Sequence, residues 1–84
     1  MASFRIVIAE SAQAELMAIP FPFRRQVNQR IVKLKKLAVP PASELISVEN
    51  ETSRFKLRVT GWKIIYVVDD ADATITILSI TALE

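Results

Sequence analysis

The chain has no cysteine and no histidine among its 84 residues, and a single glycine. Without cysteine there is no disulfide framework and no thiolate metal site. Without histidine the usual general base and the commonest metal ligand are missing, so Ser-His-Asp and Cys-His triads are excluded. Long apolar runs are lacking as well. The longest uncharged stretch, Ala73 to Leu83, has 11 residues, well short of the roughly 18 that would suggest a membrane span. Arg5 and Glu10 bracket a short apolar stretch with no small-residue cleavage site behind a longer one. No signal peptide is therefore expected, and the cytoplasm is the expected location. What remains is 51% hydrophobic and 24% charged, the composition of a globular protein. Residues 1–84 are read as one domain, with room for one sheet, two or three helices and a thin core. No cofactor, metal or membrane is expected.

The net charge of +2 conceals an asymmetry. From Arg24 to Lys63, ten basic residues stand against Glu44, Glu49 and Glu51, leaving +7. Elsewhere Arg5 stands against Glu10, Glu15, Asp69, Asp70, Asp72 and Glu84, leaving −5. A basic middle between acidic ends points to an anionic partner for one surface. Solvated faces on a soluble domain are the alternative, and the arrangement of the cations has to decide.

Phe4 to Ile8 alternates and is β-branched, which predicts a strand. Ser11 then reads as an N-cap, with Glu15 in the early turns where the helix dipole favours negative charge. Ala12, Leu16 and Ile19 give a short amphipathic helix that Pro20 stops. Pro22 suits the start of a second helix. Its buried stripe is Val27, Ile31, Leu34 and Ala38, and Val39-Pro40-Pro41 ends it. Arg54–Val59, Trp62–Val68 and Thr74–Ile80 read as further strands, with Leu45–Val48 as a candidate additional edge strand. The expected fold class is α+β: a mainly antiparallel sheet of four strands, or five with the edge strand, and an N-terminal αα-hairpin packed on one face.

Gly61 lies between two strand-like runs, and Thr60-Gly61 suits a two-residue reversal requiring a positive φ. Such a turn sets the register: Val59 faces Trp62, Arg58 faces Lys63, and Phe55 faces Tyr66. Alternation then places Phe55, Leu57, Val59, Trp62, Ile64 and Tyr66 on one face, against the helical stripe. Arg54, Lys56, Arg58 and Lys63 share the other face, near Ile65 and Val67. Four cations on one hairpin face repel one another, and the directly opposed Arg58 and Lys63 destabilise by some tenths to about 1 kcal/mol. Neither paired segment holds an acidic residue, although Glu51 or Asp69 could fold back. Phosphate oxygens would relieve the repulsion and dominate affinity, so phosphate binding is the preferred reading over a solvated sheet face.

These residues also resemble a known family. Lys56-Leu57-Arg58-Val59-Thr60-Gly61-Trp62-Lys63-Ile64-Ile65-Tyr66-Val67-Val68-Asp69-Asp70 is similar to the centre of the RelE/ParE superfamily of type II toxin–antitoxin toxins. The pattern there is a basic alternating strand, Gly-aromatic-Arg, an aliphatic pair, Tyr and an acidic turn. The upstream strand, proline-broken helix pair and Pro40 fit as well, so the resemblance spans nearly the whole chain. It implies a toxin held by a cognate antitoxin through an amphipathic helix, and a homodimer or a toxin–antitoxin hetero-oligomer is the expected assembly. RelE-like members act on mRNA at the ribosome as metal-independent endoribonucleases, whereas ParE-like members inhibit DNA gyrase. Under the ribonuclease implication Arg54 and Lys56 serve as base and phosphate ligands, and Lys63 stands where the family has the arginine that stabilises the phosphate. Such substitution loses a bidentate fork. The family's next arginine, just after the last strand, and its tail tyrosine have no counterpart in Thr81-Ala82-Leu83-Glu84.

Three readings follow: an RNA-binding toxin with weak or absent cleavage, a gyrase inhibitor, and a non-toxic antitoxin-binding relative. Arg58, Lys33 and Lys36 join Arg54 as RNA-binding candidates, although the basic residues of the second helix also suit a solvated face. Trp62 and Tyr66 read as core residues facing away from the cations. Asp69, Asp70 and Asp72 lack the glycine and glutamate of a calcium loop and read as a polar turn. The C-terminal strip of Leu78, Ile80, Ala82 and Leu83 is expected to be partly exposed until an antitoxin or a second copy covers it.

Overall fold

The alternating N-terminal run forms β1 (Arg5–Ile8), and the chain passes directly into α1 (Glu10–Ala18) and α2 (Phe21–Lys33). Four strands follow: β2 (Ser43–Glu49), β3 (Thr52–Val59), β4 (Trp62–Asp69) and β5 (Thr74–Ala82). The structure, a computed structural model, describes residues 3–83. The five strands form one sheet in the order β1-β5-β4-β3-β2. β1 runs parallel to β5, and every other neighbouring pair is antiparallel. The expected α+β class holds, and the edge-strand candidate proves to be a full strand, longer than Leu45–Val48.

Both helix starts differ from expectation. α1 begins at Glu10, with Ala9 as its N-cap and no side-chain cap, so Ser11 lies inside the first turn. The reason is the strand before it. The Ala9 N–H is held by the Ile77 carbonyl at 2.9 Å, and the Ala9 carbonyl already accepts from Gln13 N–H. The chain therefore passes from the sheet into the helix through Ala9 alone. Pro20 caps α2, and Pro22 occupies its first turn, where a missing N–H costs nothing.

α2 ends at Lys33, short of Ala38. The next residues tighten into three-residue bonds, Leu34 N–H to Ile31 O and Lys35 N–H to Val32 O. The Lys35 carbonyl is taken by Phe4 N–H at 2.8 Å, and the Ala38 carbonyl by the Tyr66 hydroxyl at 2.8 Å. Ser43 donates both its N–H and its hydroxyl to the Pro40 carbonyl. The crossing from α2 to β2 is thus pinned by hydrogen bonds from Phe4, from Tyr66 of β4 and from Ser43 at the start of β2.

The helices lie on one face, α1 over β5 and α2 over β3. Between the layers sit Ala12, Val27, Ile31 and Leu34 from the helical side, with Leu57, Ile64, Tyr66, Ile75, Ile77 and Ile80 from the sheet, all essentially buried. Burying each large side chain contributes roughly 1.5–3 kcal/mol. Ala12 matters by being small, because it lets α1 approach β5. Ile80, expected in a partly exposed strip, belongs to this core at 2% exposure. Leu78 is half-buried, and Ala82 and Leu83 are exposed.

Two polar groups tie the layers. Pairing of β1 with β5 stops at Ile8 and Ile77, so the Ile80 N–H has no strand partner beyond it. The Glu15 carboxylate accepts it at 2.8 Å from α1, a role sequence position alone assigned to the helix dipole. Tyr66 stacks on Phe55 at 5.5 Å between ring centroids and donates to Ala38 O. Burial pushes its phenol above the ordinary tyrosine value, offset in part by the neighbouring Ser43 hydroxyl.

Two outcomes follow. Glu15→Ala should lower stability by about 1–3 kcal/mol in a denaturant titration, because a part-buried N–H loses its charged acceptor. The Tyr66 phenol binds its proton more tightly folded than unfolded. Its contribution is complete below the unfolded value of about 10 and is lost as pH rises through the higher folded value. Tyr66 is the single tyrosine, so tyrosinate absorbance should lag that of the unfolded chain in an alkaline titration. Coincident curves would contradict its burial.

Candidate nucleic-acid interface

The interface is built on the β3–β4 hairpin. Its register runs Phe55↔Tyr66, Lys56↔Ile65, Leu57↔Ile64, Arg58↔Lys63 and Val59↔Trp62, as the two-residue reversal requires. The positive φ, however, falls on Thr60 at 52°, and Gly61 is not in that region. Thr60 tolerates it with its hydroxyl bonded to the Val59 carbonyl at 2.7 Å. The Gly61 carbonyl accepts Leu83 N–H at 2.8 Å, which fastens the end of β5 to the turn. A methyl group at Gly61 would meet nothing within 4 Å.

Alternation sends Phe55, Leu57, Val59, Ile64, Tyr66 and Val68 into the core. Trp62, on the same side, is half-buried and packs against Phe23 of α2 at 5.5 Å between centroids. Arg54, Lys56, Arg58 and Lys63 project from the open face, which no helix among the described residues covers. Successive cations on β3 are about 6.5–7 Å apart along the strand. Arg58 and Lys63 are direct cross-strand neighbours. β5 continues this face, with Thr81 opposite Lys63 and Ser79 opposite Ile65. At the place nearest the cations the end of the last strand thus offers a hydroxyl where the family resemblance would set a guanidinium. Glu84 lies outside the described residues.

One acidic residue does reach the cluster, and it is neither Glu51 nor Asp69. Glu44 of β2 is the register partner of Lys56, and its carboxylate lies 3.4 Å from the ammonium. Sequence reasoning left Glu44 outside its short edge-strand candidate. The usable signal was the Ser43-Glu44-Leu45 alternation, which extends a strand back to a carboxylate that a neighbouring lysine can face. Among the described residues, no carboxylate comes within ion-pair distance of Arg54, Arg58 or Lys63.

Lys33 and Lys36 lie elsewhere. Lys33 belongs to the helical layer, where with Gln26, Gln29 and Arg30 it borders a shallow groove beside Val59 and Thr60. Lys36 sits exposed in the turn after α2. The structure therefore brings four basic candidates together on the sheet and leaves two on the opposite layer. At the far end of the sheet, Asp69 accepts Asp72 N–H, and Asp72 accepts the Thr74 hydroxyl and lies 3.6 Å from Arg5. These carboxylates organise a turn. No described helix is long and apolar enough to cross a membrane.

Thr60→Gly should raise stability by up to about 1 kcal/mol, since a β-branched residue leaves the left-handed region. Gly61→Ala should be nearly neutral. Denaturant midpoints check both, and a costly Gly61→Ala would show that the turn strain has been misplaced.

No protein-family model matches the chain, and no curated protein matches it. Solved structures do. The archaeal RelE–RelB complex from Pyrococcus horikoshii contains a chain 19% identical, superposing with a TM-score of 0.89 over 95% of this chain and 94% of that one. A RelBE toxin–antitoxin complex from Mycobacterium tuberculosis gives 17% identity and a TM-score of 0.80, covering 96% and 99%. The isolated E. coli RelE toxin gives 20% identity and 0.77, covering 98% of this chain and 86% of that one. The fold is that of the RelE toxins.

Proposed function

We propose that this chain is the toxin of a type II toxin–antitoxin module, acting on RNA at the ribosome through the open face of its sheet and cleaving mRNA slowly. The observation that carries the reading is the coincidence of a RelE fold with an outward set of Arg54, Lys56, Arg58 and Lys63 on adjacent strands. An antitoxin partner follows from the company that RelE keeps, since RelE structures similar to this one were solved with RelB.

Cleavage of this kind needs no histidine. A ribose 2′-hydroxyl attacks the adjacent phosphorus, its proton leaves to a base, and the 5′-oxygen departs. Negative charge builds on the phosphorane-like transition state, and fixed cations stabilise it. Lys56 is the proposed base, Lys63 the stabiliser of the equatorial oxygens, and Arg54 and Arg58 the phosphate holders. Two features favour a slow enzyme. Lys63 binds phosphate as a point charge without the arginine fork. Lys56 begins as an ammonium paired with Glu44 and has to give up its proton before it can act as the base.

The test is mRNA cleavage on translating ribosomes. Lys56→Ala and Lys63→Ala should each lower the rate by about 10–100-fold. Equal rates in both variants would discard the site. Inhibition of DNA supercoiling by gyrase, without RNA cleavage, would replace this reading with the ParE-like one. Unaffected growth on overexpression, with a helical partner still co-purifying, would replace it with a non-toxic relative.

A further inference from the structure

We infer that Glu44 is an internal phosphate mimic, a specificity-determining residue that occupies the central cation of the open face until a nucleic-acid phosphate displaces it. This inference rests on the RNA-binding reading above and adds a regulator to the same surface.

The position of Lys56 carries the argument. Along β3 it lies between Arg54 and Arg58, two residues away on either side, and on β4 its direct partner is the uncharged Ile65. Lys63, the partner of Arg58, is its diagonal neighbour. Lys56 is therefore the centre of the cluster, and its side chain is 29% exposed. Across β2 the partners differ sharply in charge: Arg54 faces Ser47, Leu57 faces Ser43, and Lys56 faces Glu44. The one carboxylate on this part of β2 thus meets the one lysine surrounded by other cations. A carboxylate oxygen at 3.4 Å supplies what a phosphate oxygen would supply.

Two consequences follow from one contact. In the free protein Glu44 relieves repulsion among four like charges. When RNA arrives, the same carboxylate competes for Lys56, because that lysine exchanges one anion for another instead of releasing a solution counterion. Backbones that fill the other three cations and also reach the central one can displace Glu44, whereas weaker anions cannot. Glu44 is exposed enough to swing aside, at 61% of its side-chain surface.

Binding of single-stranded RNA, measured against salt, tests this with Glu44→Gln. The variant should bind on the order of two- to fivefold more tightly at low salt. Its log Kd against log salt should steepen by about 0.7, the increment of one further phosphate contact. Asp70→Asn, which makes the same change in net charge on the β4–β5 turn, should leave the slope unchanged. In a Lys56→Ala background the Glu44→Gln gain should vanish. Wild-type slope and affinity in Glu44→Gln would overturn the inference while leaving the interface intact, provided Lys63→Ala still weakens binding. An equal gain in Asp70→Asn, or a gain that persists without Lys56, would also overturn it. Failure of the wild type to bind RNA in a salt-dependent way would sink the interface and this inference together.

Discussion

The two-residue reversal at Thr60-Gly61 determines which way every side chain of β3 and β4 points. Period-two alternation leaves no intermediate arrangement. Lengthening the loop by one residue would pair even positions of β3 with even positions of β4, so that keeping Ile64 and Tyr66 inside would drive Arg54, Lys56 and Arg58 into the core and turn Leu57 to water. Burying even one of those charges without a partner would exceed any local preference of the turn. The reversal is held from both sides, by Thr60 bonding back to Val59 and by Leu83 bonding to Gly61. The helices, the core and the basic face all inherit their geometry from that parity.

β4 stands between β3 and β5 and is paired on both sides. It is the strand through which the apolar layer and the cationic layer are joined. Tyr66 anchors the inner side, stacked on Phe55 and bonded to the segment after α2. Lys63 presents the outer side beside Thr81. Changes on the open face should therefore leave the core undisturbed, since adjacent residues of one strand project into different layers. This separation lets a small protein with a thin core carry four clustered cations.

The proposed chemistry depends on charge placed on a rigid sheet, without a titrating imidazole. Charge alone binds phosphate without choosing among phosphates, so a competing carboxylate has a use. Glu44 sets a threshold that a correctly spaced backbone can exceed. The same residue eases the repulsion of the unliganded state, which links stability and binding through one contact.

The inward and outward sets of the hairpin were legible in the residues themselves, because alternation and turn length are local properties. So were the proline break between the helices, the Val27–Ile31–Leu34 stripe and the core placement of Tyr66, whereas Trp62 turns to the core side but is only half-buried at its margin. The misplaced boundaries, Ser11 as a cap and Ala38 inside a helix, came from local signals that distant hydrogen bonds overrode: Ile77 holding Ala9, Phe4 holding Lys35, and Tyr66 holding Ala38. Glu15 bonding to Ile80 spans 65 residues and depends on where β1 stops, which no periodicity reveals. The ion pair of Glu44 with Lys56 depends on the edge pairing of β2, whose register shifts between Leu45 and Ser47. Which residues face outward is written along a single strand. Which of them meet is decided by strand order and register, and those emerge only when the whole chain packs.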